Sequence, residues 1–315
     1  MSTICIGYLT DNRRTYTFDK FVYFLDKITN KQKIHLVILI NNISKDFFEK
    51  IIKNNLTNIN YTILLFSNDN NYINKIKTFI DFTKKNNMKY CMKFDNDLII
   101  NNHIIDFMID NVFMLENKEN LYITPSISSG IPTTDYFIED FFNEEEKKNI
   151  QTLFLKTNMP NNLWGFNYEA LNEYTIKSNN WDSEKFINKL NELGYFYKGI
   201  HPIRINKEAI EYMNYVILKY KKKIYEKQDY KIQINNTFSY LCNSIFIIDV
   251  ENYNKLVNNN ELYVDPFDEV PVNKFCQMHN LKGIIIRNSF SIHPIYNTIP
   301  NHNIHEKQFY DNFFN

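Results

Sequence analysis

Two carboxylates one residue apart close the run Lys93-Phe94-Asp95-Asn96-Asp97. At the tip of a buried strand where the chain turns, Asp95 and Asp97 can face one small volume. Hard divalent cations such as Mg²⁺ or Mn²⁺ need oxygen ligands; the protein supplies one or two, and water and a substrate diphosphate supply the rest. The bland alternative is a polar loop after a strand. A second acidic pair, Asp268-Glu269, heads a helical pattern. Carboxylates in the first turn of a helix are favoured by its dipole and its free N–H groups, so this pair reads equally as a helix cap. In a catalytic reading one of them accepts the proton of an attacking hydroxyl. His293, in Ile292-His293-Pro294, follows a strand. It offers either a neutral imidazole ligand or a hydrogen-bonded structural ring.

The elements that must position these groups are legible by period. Apolar runs at Ile4–Thr10, His35–Ile40, Tyr61–Phe66 and Tyr90–Phe94 alternate with helical spacing at Phe18–Ile28, Ser44–Ile52 and Tyr72–Phe82, with Ser44 as a helix cap. Strands without strict alternation are buried on both faces, and strands alternating with helices form parallel βαβ units. The expectation is an α/β, doubly wound, mostly parallel sheet whose ligand crevice lies at the C-terminal strand ends. The polar tips there are Thr10 and Asp11, Asn41 and Asn42, Ser67 and Asn68, and Asp95 and Asp97.

Beyond this half the pattern predicts a helix over Ile104–Met114, a strand over Leu121–Pro125 and a loop from Ser126 to Pro132. Residues 135 to 232 read as largely helical, with an acidic run Glu144–Glu146 and a basic run Lys221–Lys223 that suits a solvated helix end. Strand character returns at Ser244–Val250 and Gly283–Arg287. No Pro/Gly/Ser linker divides the chain. The reading is one integrated domain: an α/β half over residues 1–125, a helical insertion over 126–239 and a C-terminal part over 240–315.

Composition excludes several classes. The 315 residues carry 36 Lys plus Arg and 36 Asp plus Glu, and zero net charge argues against a dedicated nucleic-acid binder. Six glycines leave neither a GxGxxG fingerprint nor a P-loop. No apolar run approaches the ~20 residues of a membrane span, and the N-terminus shows no signal-peptide pattern, so the expectation is a cytoplasmic protein. Cys5, Cys91, Cys242 and Cys276 are widely spaced and read as buried free thiols. The excess of Asn and Ile resembles the imprint of an AT-rich genome.

The alternation followed by Phe94-Asp95-Asn96-Asp97 resembles the nucleotide-binding half of GT-A fold glycosyltransferases. The C-terminal order is similar to family 2-like members. It runs through a strand at Cys242–Asp249, a helix, Asp268-Glu269 heading a second helix, Gly283, a strand and His293. The resemblance covers roughly residues 3 to 125 and 240 to 295. It departs from the family in the Asp-Glu order of the acidic pair and in Asn243-Ser244, where two glycines are common.

The resemblance implies a metal-dependent enzyme that moves a sugar from a UDP- or GDP-sugar to a hydroxyl of a glycan or other acceptor, with inversion. Thr10, Asp11, Asn41, Ser67 and Asp95 would hold the nucleotide-sugar. Asp95 and Asp97, with His293, would hold Mn²⁺ or Mg²⁺. Glu269, or else Asp268, would be the base, and the acceptor would lie against Ser126–Thr134 and the helical insertion. Other constellations, His201-Pro202-Ile203-Arg204 and the two tryptophans Trp164 and Trp181, read as structural or acceptor-side. Two alternatives remain: a sugar-nucleotide nucleotidyltransferase, and a catalytically inactive glycan-binding module of the same fold.

Overall fold

The computed structural model describes residues 3–10, 14–41, 44–56, 58–66, 71–130, 133–158, 169–177, 180–193, 201–235, 244–259, 262, 269–294 and 301–315. The chain opens with β1 (Ile4–Thr10), α1 (Phe18–Asp26), β2 (Ile34–Asn41), α2 (Lys45–Asn55), β3 (Asn60–Phe66), α3 (Tyr72–Lys85) and β4 (Tyr90–Asp95). It continues through β5 (Ile99–Ile100), α4 (Asn102–Asp110), β6 (Asn120–Pro125), α5 (Thr133–Phe141), α6 (Glu144–Leu155), α7 (Glu169–Lys177), α8 (Ser183–Glu192) and α9 (Lys207–Tyr225). It closes with β7 (Lys231–Asn235), β8 (Ile245–Asp249), α10 (Val250–Val257), α11 (Glu269–Met278), β9 (Lys282–Arg287), β10 (Ser291–Ile292) and α12 (His302–Phe314).

Contacts sort the chain into two compact units. The first holds Met1–Pro125, Lys231–Thr237 and Asn243–Ile286; the second holds Ser126–Tyr230, Phe238–Cys242 and Arg287–Asn315. The C-terminal part read from sequence as completing one integrated domain is therefore shared between the two, and the division falls at the end of β9. There Arg287 already serves the second unit. Its guanidinium makes a two-pronged pair with Asp140 (3.0 and 2.8 Å) and lies 4.3 Å over the Tyr136 ring.

The first unit is an α/β layer structure on an eight-stranded sheet of order β3-β2-β1-β4-β8-β6-β9-β7. β3, β2, β1 and β4 are parallel, as are β6 and β9, whereas β8 runs antiparallel to both β4 and β6. β1, β2 and β4 are almost wholly buried. β3 departs from the expectation of burial on both faces: it is the outermost strand, with one neighbour, and Leu65 is 59% exposed.

Side-chain alternation along β1 divides the core between the sheet faces. On one face Tyr8 stacks on Phe21 of α1 at 4.3 Å, Phe21 meets Phe94 at 4.6 Å, and Phe18 meets Phe48 of α2 edge-on at 4.7 Å. Each buried aromatic of this kind contributes about 1.5–3 kcal/mol. The opposite face needs Gly7, because a Cβ there would stand 2.8 Å from the Phe79 ring of α3. Cys5 and Cys91 are register partners on β1 and β4, and both are buried free thiols, as is Cys276. Burial pushes the Cys5 thiol up to about 12, with a Thr83 hydrogen bond acting in the opposite sense. These thiols stay protonated and unreactive. Cys242 lies outside the described residues.

Asparagine side chains cap two helices of this unit, while two expectations for helix ends are not met. Asn71 caps α3 by accepting from the N–H groups of Ile73 and Asn74, and Asn101 caps α4 from Ile104. Ser44 holds the cap position of α2, yet its side chain makes no capping bond. The helix expected over Ile104–Met114 breaks at Asn111 and goes on as a 3-10 turn, Val112–Glu116.

The second unit is mainly helical, as expected for the insertion, and α6 packs on α9. Glu146 anchors that packing. It completes a capping box with Asn143 and accepts from Lys219 at 2.8 Å and Tyr220 at 3.0 Å. Trp181 is core: its indole N–H donates to Asp135 at 2.7 Å, and its rings meet Phe154, Phe186 and His201. Among the described residues no helix is long and apolar enough to cross a membrane.

Candidate functional site

After β1 the chain lays β2 and β3 on one side, then returns to place β4 on the other. The strand order therefore reverses between β1 and β4, and ligands of open α/β sheets bind at the carboxyl ends of strands at such a switch point. β1 ends there in Thr10 and β4 in Asp95, with Leu9 and Asp95 register partners. Asn41 ends β2 one residue beyond the Thr10–Ile40 pairing, and is 9% exposed.

The turn after β4 is fixed from both sides. The Asp95 N–H donates to the Ser244 carbonyl of the segment leading into β8 at 2.9 Å. Asn96 donates from Nδ2 to Thr10 Oγ1 at 3.1 Å, and both residues are buried. This bond ties the tips of the two switch-point strands together.

Each carboxylate carries a cation. Lys93 lies two residues before Asp95 on β4, so both side chains leave the same sheet face. Lys93 Nζ pairs with Asp95 Oδ2 at 3.0 Å, is 1% exposed, and lies 5.4 Å from the Tyr72 ring of α3. Arg14, just before the 3-10 turn Thr15–Thr17, pairs with Asp97 Oδ2 at 3.4 Å, and both side chains are largely buried. The sequence shows Lys93 only as part of the motif and Arg14 only as half of a basic Arg13-Arg14 pair after the first strand; it marks neither as the partner of a carboxylate. The i, i+2 spacing of Lys93 and Asp95 on a strand was the available signal for the first; nothing local signals the second.

Among the described residues, no three His, Cys, Asp or Glu side chains stand together as a metal-holding group. Two hard carboxylates at one turn still suit a Mg²⁺ or Mn²⁺ ion bound through one or two protein oxygens, with water and phosphate completing its shell. The donor chemistry fits; the ion has to share Asp95 and Asp97 with Lys93 and Arg14.

The other expected site residues are placed as follows. His293 belongs to the second unit, where its N–H donates to Ser128 Oγ at 3.1 Å and its Nδ1 lies 3.2 Å from Ser129 Oγ. Glu269 is the first residue of α11. Asp268, Asp11 and Ser67 lie outside the described residues, as do Asn42, Asn68 and Trp164. His201 is buried in the second unit, and its Nδ1 accepts from the Ile203 N–H at 3.0 Å to cap the short turn Pro202–Arg204. Arg204 donates from Nε to the Ser129 carbonyl at 3.3 Å. The structure thus brings together Thr10, Asp95, Asn96 and Asp97, with Asn41 on the same edge.

No family model matches the chain, and no curated protein does. Solved structures similar to part of it include a cytidylyltransferase from Leptospira borgpetersenii, at 16% identity and TM-score 0.30 over 40% of this chain and 54% of that one. S. aureus TarS in complex with UDP-GlcNAc matches at 12% identity and TM-score 0.31, over 40% and 34%. Mannose-6-phosphate isomerase from Helicobacter pylori matches at 20% identity and TM-score 0.32, over 40% and 51%. The chain spans between 34% and 54% of the length of these three, and the overlays are weak.

Proposed function

We propose that the chain is a nucleotide-sugar-dependent glycosyltransferase whose donor site is the β1–β4 switch point of the first unit. The observation that carries this reading is the buried Asn96–Thr10 bond, which ties the turn carrying Asp95 and Asp97 to the tip of β1 at the carboxyl edge of the sheet, where ligands of open α/β sheets bind. Thr10 and Asn41 would line the donor side. Mn²⁺ or Mg²⁺ held at Asp95 and Asp97 would supply the positive charge that offsets the departing nucleoside diphosphate. Glu269, or else Asp268, accepts the proton of the acceptor hydroxyl as that oxygen attacks the anomeric carbon. One base opposite a diphosphate leaving group gives a single displacement with inversion.

One observation favours a second reading, a binding module without turnover: Asp95 and Asp97 each already hold a cation of the chain. A screen of UDP- and GDP-sugars for Mn²⁺-dependent release of nucleoside diphosphate, with Glu269→Gln and Asp268→Asn alongside, separates the two. Turnover of one donor that falls in either variant supports the transferase. Sugar-nucleotide binding with no turnover of any donor supports the module.

A further inference from the structure

We propose that Arg14 is an exchangeable counter-ion: it occupies Asp97 until a divalent cation binds there, and then turns onto the diphosphate of the donor. This rests on the donor-site reading above and adds a role for a residue outside the acidic turn.

The two cations of the site are held differently. Lys93 sits on the sheet face, 1% exposed, with its Nζ 3.0 Å from Asp95 and the Tyr72 ring beside it. Arg14 is anchored by its backbone instead. Its carbonyl accepts from the Thr17 N–H at 3.1 Å and from Thr17 Oγ1 at 2.8 Å. Thr17 Oγ1 lies in turn 3.0 Å from the buried Tyr8 hydroxyl of β1. The backbone of Arg14 is thereby tied to β1 through Thr17, while its largely buried side chain, 14% exposed, keeps more access to solvent than the 1% of Lys93. At 3.4 Å its contact with Asp97 is also looser than the 3.0 Å Lys93–Asp95 pair.

Charge dictates the exchange. Asp95, Asp97, Lys93 and Arg14 together carry no net charge. A divalent cation at Asp97 repels the guanidinium already there, and both compete for the same carboxylate. A nucleotide-sugar diphosphate arriving with the cation restores neutrality and offers pairs of phosphoryl oxygens, which the planar guanidinium fork can meet with two parallel hydrogen bonds. One residue therefore weakens metal binding and strengthens donor binding, a pair of opposite effects that a purely structural arginine would not produce.

The test is titration of the full-length chain with Mn²⁺ alone, followed by UDP and GDP at saturating Mn²⁺, for wild type, Arg14→Gln and Asp97→Asn. Arg14→Gln leaves the anchoring carbonyl in place. It is expected to bind Mn²⁺ about fivefold more tightly, the scale of one released ion pair. The same variant is expected to bind the nucleoside diphosphate about tenfold more weakly, the scale of one charge-assisted contact. Asp97→Asn should lose Mn²⁺ binding. Mn²⁺ affinity in Arg14→Gln equal to or below wild type overturns the proposal, as does unchanged nucleotide affinity. Wild type binding neither Mn²⁺ nor nucleotide, with Arg14→Gln behaving alike, overturns the donor-site reading itself and this proposal with it.

Discussion

Asn96 Nδ2 donates to Thr10 Oγ1 at 3.1 Å across the tips of two adjacent parallel strands. The residue between the two carboxylates thus ties the acidic turn to the tip of β1. An Asx side chain buried at this point has a structural task that its neighbours are spared, which leaves Asp95 and Asp97 to meet charges. Asn96→Ala removes a buried hydrogen bond and should cost about 1–2 kcal/mol of stability. In a double-mutant cycle with Thr10→Val, a coupling of about 1 kcal/mol in urea unfolding is expected. Additive single effects would mean the bond contributes nothing.

Five asparagines, Asn58, Asn87, Asn280, Asn288 and Asn301, adopt left-handed backbone with φ between 50° and 63°. Asn and Gly are the residues that reach this region with least strain, and this chain has six glycines. At the end of α3, Asn87 takes the position glycine usually fills: its N–H donates to the Lys84 carbonyl, and the Met88 N–H to that of Thr83. Asn87→Ala should destabilise by about 1 kcal/mol, and Asn87→Gly should be neutral or stabilising, as read from urea midpoints. Equal midpoints for Ala and Gly would contradict this.

Glu146 gives the second unit a pH dependence of defined sign. Burial, the largest influence, raises its pKa, but the Lys219 ammonium, the Asn143 N–H and the Tyr220 hydroxyl together outweigh it and hold the carboxyl below its ordinary value. A carboxylate depressed in the folded state contributes stability in full above its unfolded pKa and loses it as pH falls through the folded one. Glu146→Gln keeps an N3 side chain able to complete the capping box and removes the charge. The melting temperature of the variant should lie a few degrees below wild type at pH 7, with the gap closing below about pH 4. A gap that persists unchanged into acid would show that charge is not what Glu146 supplies.

Much of the first unit was legible because its signals are local. Ile4–Thr10 and Tyr90–Phe94 are apolar runs of strand length, Ile76, Phe79 and Ile80 fall at helical spacing, and polar residues punctuate the strand ends. The alternation alone implied parallel pairing and thereby gathered Thr10, Asn41 and Asp95 at one edge. What was not legible depends on contacts distant in sequence. Ile245–Asp249 enters between β4 and β6 antiparallel to both, a choice that no residue within the strand announces. That β3 lies outermost, with Leu65 exposed, follows from strand order and not from its own composition. At the end of β9, where the chain passes to the second unit, Arg287 meets Asp140, 147 residues away. The cations on the acidic turn divide along the same line: Lys93 is two residues from its partner, while Arg14 reaches Asp97 only because β1 and β4 are neighbours.

The central claim, that the β1–β4 switch point holds a nucleoside diphosphate through a carboxylate-bound metal, is tested most directly by calorimetric titration of the full-length chain. UDP and GDP would each be titrated with and without Mn²⁺, for wild type and Asp97→Ala. The account predicts that one of the two binds wild type, that binding requires Mn²⁺, and that Asp97→Ala weakens it at least about tenfold, the scale of a lost metal-ligand carboxylate. Nucleotide binding indifferent to both Mn²⁺ and Asp97, or no binding of either nucleotide under any condition, would contradict it.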